Sequence, residues 1–305
     1  MLKYLPFLLV CALLGHAEEG VVTLAAVGDV MLGRGVPARI AAHGPAWPWA
    51  ALAPELARAD LRFCNLECAV TAGGLRIPKP YSFRADPAMA AEVLRAGGFD
   101  VAALANNHTY DYGRPGLADT ITAMAQLGIA APGAGRGRAG AVAPQRVTRN
   151  GLTLAFVAYT VWPPEGYLPS EEGASVAMYD EATFAEELRA AHREADLLIV
   201  SLHWGKEYSP GFTPAQQRLA HRAIDAGADL ILGHHPHVTQ PVEVYQGRPI
   251  LYSLGNCLFD RTDARYSTGA LALVRLTRDA VAVERLIPFV LDDARPALRK
   301  TGGGR

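Results

Sequence analysis

The sequence predicts an α/β domain with parallel strands and added antiparallel ones. Three observations carry that expectation. Strand-like apolar runs alternate with helical stretches from Val21 to His237. The last third of the chain turns to hairpins. Polar clusters recur at one topological place, the C-terminal ends of strands, where open α/β sheets gather ligands.

The elements follow in order. Val21 to Val27 is a β-rich run ending at Gly28-Asp29. Ala50 to Arg58 reads as helix, and Asp60 to Leu66 as a short strand ending at Glu67. Asp86 to Ala96 is a helix closed by Gly97-Gly98, because glycine accepts the left-handed cap. Phe99 to Leu104 is a strand running into Asn106-Asn107-His108, and Arg114 to Leu127 a helix closed by Gly128. Asn150-Gly151 between two apolar runs is a hairpin signal. Glu181 to Glu194 is helical, Asp196 to Leu202 a strand ending at His203, and Pro214 to Ala226 a helix closed by Gly227. Ala228 to Gly233 is a buried strand that delivers His234-His235-Pro236-His237. Two hairpins finish the domain, Val242 to Tyr245 with Ile250 to Ser253, and Leu271 to Leu276 with Ala280 to Leu286. The domain spans residues 21–290, and a tail follows at 291–305, disordered over its last five residues.

Gly135, Gly137 and Gly140 spell a literal GxGxxG. A dinucleotide site needs a strand before that pattern and a helix opening on its last glycine. Here a helix precedes it, and Pro144 and a hairpin follow, so the stretch reads as a mobile loop.

With 305 residues, half of them hydrophobic, the chain can bury a large core. A net charge of −1 and no basic run exclude nucleic acid as the main partner. Lys3, the apolar run Leu5 to Leu14 and the small residues Gly15 and Ala17 read as a secretory signal peptide over residues 1–17. The mature protein is then extracytoplasmic, in the periplasm or cell envelope. Cys64, Cys68 and Cys257 remain, an odd number. Either Cys64 pairs with Cys68 around Glu67, or the thiols are buried and free.

Three imidazoles in four residues, at His234, His235 and His237, are the strongest chemical signal. Histidine is the commonest transition-metal ligand. Pro236 biases His235 toward an extended backbone, where residues i and i+2 point the same way. His235 and His237 then form a two-pronged clamp with His234 turned aside. Asp29, Glu67, Asn106-Asn107-His108 and His203 end other strands. Singly, Asp29 also reads as a turn residue, Asn106-Asn107 as a left-handed turn and His203 as a core histidine. Together, carboxylate, amide and imidazole suit one or two divalent ions such as Mn, Fe or Zn. Arg34, Lys79, Arg84 and Lys206 lie in or near these loops and either hold carboxylates or phosphates or are solvated charge. Tyr81, Phe83, Trp204 and Tyr208 either wall the cleft or pack in the core.

Six stretches now combine in order: Gly28-Asp29-Val30-Met31-Leu32-Gly33-Arg34, Asn65-Leu66-Glu67, Asn106 to Gly113, His203 to Tyr208, His235-Pro236-His237 and Tyr252-Ser253-Leu254-Gly255-Asn256. They resemble the CapA family of capsule and poly-γ-glutamate synthesis proteins, itself similar to calcineurin-like metallophosphoesterases. The resemblance runs from about Val21 to about Phe289. It implies a four-layer αββα sandwich of the metallo-dependent phosphatase kind, with a dinuclear centre between the sheets. By motif, Asp29 and His237 would serve the first ion, Glu67 would bridge, and Asn107, His203 and His235 would serve the second. His108 would be the general acid; Asp111 would orient it or simply start a helix. Arg34, Arg84, Lys206 and Asn256 would contact substrate. Three departures stand out. Met31 sits where those phosphoesterases carry histidine, Asn-Leu-Glu replaces their bridging aspartate motif, and Thr109 replaces an acid. They weaken the first ion's position and put ordinary phosphatase activity in doubt. The implied partner is an anionic envelope polymer or a phosphoester, with membrane-bound synthesis proteins alongside.

Overall fold

The computed structural model describes residues 18–260 and 267–298. The signal peptide read at 1–17 lies outside them, as do residues 299–305. Two large sheets organise the chain. The first runs in the order Arg295–Leu298, Val281–Asp292, Thr268–Leu276, Val22–Val30, Leu61–Leu66, Val101–Ala103. Asn256–Leu258 also pairs with Val22–Val30. The second runs Val242–Tyr245, Arg248–Leu251, Leu230–His234, Leu197–His203, Leu152–Thr160, Gln145–Arg149. Central pairs in both sheets are parallel, and the C-terminal hairpins are antiparallel. Among the described residues, no helix is long and apolar enough to cross a membrane.

The period of two along each strand decides what faces what. In Leu152–Thr160, Leu154, Phe156 and Ala158 join one buried cluster, while Ala155, Val157 and Tyr159 join another. Leu197 and Ile199 follow the first group, and Leu198, Val200 and Leu202 the second. The first cluster also holds Val22, Leu24, Phe63 and Val101, so one face of the second sheet packs on the first sheet. Phe63 and Phe156 stack across that interface at 6.3 Å. The second cluster holds Phe184 and Leu188 of the helix Phe184–His192 and Leu219 and Ala223 of Pro214–Asp225, which cover the other face.

Local chemistry sets the element ends. Asp86 caps the helix Pro87–Gly97, accepting from Met89 N–H at 3.0 Å, and Gly98 closes it at φ 67°. Thr213 and Gln216 form a reciprocal capping box at the start of Pro214–Asp225. Gly128 closes Gly113–Leu127 at φ 70°. The expected helix Ala50 to Arg58 shrinks to one α turn, Ala53–Leu56, preceded by a 3₁₀ turn at Trp47–Trp49. The helix expected from Glu181 to Glu194 is trimmed to Phe184–His192.

Two expectations are corrected. The glycine-rich stretch is not a loose loop. Ala134–Arg136 pairs with Ala174–Val176, and a helix, Gly137–Val142, follows. A Cβ at Gly135 would stand 2.3 Å from the Gly140 carbonyl, and one at Gly137 would stand 2.3 Å from the Glu171 oxygen. These glycines allow backbone to pass backbone. In addition, the first sheet runs beyond residue 290, where the tail was expected, because Arg295–Leu298 pairs with the end of Val281–Asp292.

Candidate metal centre

Asp29 stands near the end of Val22–Val30, in register with Asn65 on one side and Asn256 on the other. Asn65 Nδ2 donates to Asp29 Oδ1 at 2.8 Å and to Glu67 Oε2 at 3.4 Å. Asn106 Nδ2 donates to Asn65 Oδ1 at 3.2 Å and to Leu66 O at 2.9 Å. This buried amide chain holds two carboxylates side by side. Neither Asn106 nor Asn107 has a left-handed backbone, although Asn107 lies in a turn, so the left-handed-turn reading of that pair is removed.

The second sheet supplies the imidazoles. His203 ends Leu197–His203, beside His234 at the end of the next strand. His203 Nε2 lies 2.8 Å from Asn107 Oδ1 and 3.1 Å from His235 Nδ1. His237 Nδ1 lies 2.9 Å from Asn256 Oδ1 and 3.3 Å from Asp29 Oδ2, and its Nε2 is 3.7 Å from Glu67 Oε1. The extended clamp is corrected: His235 and His237 adopt φ 94° and 60°, both left-handed. Tyr208 N–H donates to Pro236 O at 2.8 Å and Trp204 N–H to His234 O at 3.1 Å, so the loop is fixed by its neighbours. His234 is not turned aside either. It is fully buried, with Nδ1 3.5 Å from Asp29 Oδ1 and its ring stacked on Phe63.

All six expected ligands therefore converge: Asn107, His203 and His235 meet as one group, and His237 lies against Asp29. Donor atoms of Asp29, Glu67 and His203 lie within 4.8 Å of one another, and those of Glu207, His235 and His237 do likewise. Glu207 was not singled out from the sequence; it sits four residues after His203, inside the His203 to Tyr208 stretch. Asp29 Oδ2, Glu67 Oε1, His203 Nδ1 and both His234 nitrogens are buried without a hydrogen-bond partner among the described residues. Buried polar atoms are rarely left unpaired, so this donor set fits a cation.

Electrostatics agree. Burial opposes the Asp29 charge, but His234 and His237 prevail and hold its carboxyl well below the usual range. Burial, with Asp29 beside it, pushes Glu67 well above that range. Burial and the neighbouring His235 keep His203 well below the ordinary imidazole value, and burial and His237 lower His235 to about 3. Neutral imidazoles are what a metal requires.

His108 sits beside this cluster. Its Nδ1 is 2.8 Å from Asp111 Oδ2, and its ring stacks on Phe83 at 4.0 Å. Burial lowers its pKa against the pull of Asp111. Asp111 is no helix cap: the helix starts at Gly113, and the carboxylate accepts from Phe83 N–H at 2.6 Å and pairs with Lys79. Lys79 is correspondingly no surface charge. Its side chain is 4% exposed, and it also meets Glu165 at 2.8 Å and Asn107 O at 3.0 Å.

The expected substrate contacts divide. Arg34 is half-exposed, pairs with Asp260 at 3.3 Å and stands 5.8 Å from the Phe83 ring, at the rim. Arg84 is not brought to the centre. Phe83 faces His108, so the next residue along the strand faces away, over Tyr112 at 4.8 Å. Asn256 is buried, and its Oδ1 faces His237 Nδ1 at 2.9 Å. Cys64, Cys68 and Cys257 are buried and free, so the Cys64–Cys68 pairing does not form. Burial pushes the Cys68 thiol up to about 12.

A sequence profile described as "Bacterial capsule synthesis protein PGA_cap" matches residues 23–261. The chain belongs to the CapA family of capsule and poly-γ-glutamate synthesis accessory proteins. It is 32% identical to "PGA biosynthesis protein CapA" of Bacillus subtilis (strain 168), over 92% of this chain and 74% of that one. It is 33% identical to "Capsule biosynthesis protein CapA" of Bacillus anthracis, over 92% of this chain and 70% of that one. A "Probable polyglutamine synthesis accessory protein" of Mycobacterium tuberculosis is 34% identical, over 79% and 75%. Among solved structures, a hypothetical protein from Thermus thermophilus superposes with a TM-score of 0.53 at 17% identity, over 89% of this chain and 99% of that one; it shares the fold alone.

In this CapA-family chain Met31 is buried and accepts the Gly33 N–H at Sδ, 3.0 Å away, so it offers the centre no ligand nitrogen. Thr109 is buried, with no partner for its hydroxyl among the described residues. Beside Asn107 and His235 opens a cleft of about 310 Å³, edged by Lys206, Glu207 and Trp162.

Proposed function

We propose that this CapA-family chain binds divalent metal between its two sheets and acts, outside the cytoplasm, on an anionic envelope polymer during capsule or poly-γ-glutamate-type synthesis. The observation that carries the reading is the pair of adjacent buried carboxylates, Asp29 and Glu67, among four imidazoles, with several facing donor atoms unpartnered. The αββα metallophosphatase architecture belongs to the same proposal. It is supported by two sheets meeting on one face, with helices behind the second. The relatives named for PGA, capsule and polyglutamine synthesis supply the polymer. The apolar run Leu5 to Leu14, ending near Ala17, supports the extracytoplasmic placement. Membrane-bound synthesis proteins are then its partners.

Asp29, Glu67, Asn107, His203, His235, His237 and Glu207 would hold Mn, Fe or Zn. A bound divalent ion polarises an oxygen of an anionic ligand. The protein's own groups do the rest. Asn256 accepts the His237 Nδ1–H and leaves Nε2 as the coordinating atom. Asn65 fixes both carboxylates. A second reading, metal-dependent hydrolysis or transfer on the polymer or on a phosphoester, is favoured by the His108–Asp111 pair. Asp111 takes the Nδ1–H, so Nε2 is the atom left to exchange a proton with a leaving group.

Metal analysis of the mature protein tests the main reading. About one or two ions per chain are expected, lost in His235→Ala/His237→Ala. A chain that stays metal-free after reconstitution sinks it. For the second reading, turnover that His108→Ala leaves unchanged removes its basis.

A further inference from the structure

The small cleft at the centre does not stand alone. It shares Trp162, Gly205 and Lys206 with a larger cleft of about 760 Å³ that extends along the helix Pro214–Asp225. That size suits an organic ligand. Its charge is one-sided: Lys206, Arg218 and Arg222 line it against a single carboxylate, Glu181. Arg222 is engaged with Glu181 at 3.2 Å. Lys206 and Arg218 are exposed and make no ion pair among the described residues. The walls are apolar, from Trp162, Tyr179 and Leu219. Trp162 is anchored by its Nε1–H to Gly205 O at 3.0 Å and stands 5.6 Å from the His235 ring, between the two clefts.

We propose that this larger cleft is the seat for the polymer chain, and that it recognises repeated carboxylates carried on short aliphatic spacers. The inference rests on the polymer reading above and adds where the chain lies and which residues read it. Lys206 and Arg218 pair with successive carboxylates, and the Trp162 face covers the methylene spacers between them. Trp162 and Lys206 belong to both clefts, so a segment held there passes directly to Asn107 and His235. Neither cation makes an ion pair with a ligand of the centre among the described residues, so the cleft's share of binding can be varied without touching the ligands.

Calorimetry of the mature full-length chain at low salt, titrated with a γ-linked glutamate decamer, tests this. Lys206→Glu/Arg218→Glu is expected to weaken binding about tenfold, because reversing two exposed cations turns attraction into repulsion. His235→Ala/His237→Ala, which removes the metal, is expected to weaken binding less than the charge variant does. Unchanged thermal melting of the charge variant shows that it is folded. If the charge variant binds like wild type, or wild type does not bind at all, the cleft assignment fails, and the metal analysis stands or falls on its own. If only the histidine variant loses the decamer, the chain is held by the centre and the cleft assignment fails. If polyphosphate binds the same cations as tightly as the decamer, recognition of carboxylates on aliphatic spacers is overturned.

Discussion

Lys79 shows how much a single side chain can hold in place. It closes a buried array with Asp111, which orients His108, and it touches the Asn107 carbonyl. Asp111 is fully buried, so removing its cation leaves a carboxylate charge without compensation. Lys79→Met is expected to cost about 3 kcal/mol in urea unfolding. A loss below about 1 kcal/mol in that assay would mean that water reaches Asp111. Little of this is legible in the sequence. Lys79 sits in a polar loop, and its partners Asp111 and Glu165 are remote in the chain. Glu207 is hidden for the same reason, one acid in a loop with no periodic neighbour. The histidines and Asp29 are legible because they end apolar runs, where little else polar occurs.

At the scale of elements, helix stops and hairpin turns are the most readable features. Gly98 and Gly128 close helices as glycine should, and Asn150-Gly151 turns at φ 48° and 79° between paired strands. The ends of the central strands are less readable. They depend on a second backbone that crosses them. A Cβ on Gly233 would stand 2.0 Å from Tyr252 O, and Leu254 N–H donates to Gly233 O at 3.1 Å. The strand end at Gly233 thus runs against the Tyr252–Leu254 segment, and just beyond it His235 and His237 turn left-handed where local preference predicts extension. Gly233→Ala is expected to cost about 3 kcal/mol of stability and to lower metal content together with it. Wild-type metal content and melting in that variant would show that the crossing backbone yields freely.

For the whole molecule, the centre is a store of imidazoles that refuse protons. Burial keeps His203, His235 and His108 below their ordinary values. In the unfolded chain they take protons from about pH 6.5 downward. The unfolded state then binds more protons than the folded one, and stability falls as pH falls through that window. Glu67 acts in the opposite sense, since burial raises its folded pKa, but it is one group against three. The chelator-treated protein is expected to lose about 2 kcal/mol between about pH 6.5 and 5.5. Equal melting temperatures at those two values would show that the buried imidazoles accept protons in the folded state.

The second sheet is one unbroken stretch of chain, Gln145 to Leu251, inserted between the parts of the first. Val22–Val30 must wait for Asn256–Leu258 and Thr268–Leu276 before its neighbours are complete. During synthesis, one of the first strands made is among the last to gain its full set of partners. Until then its open edge is what a chaperone would need to shield.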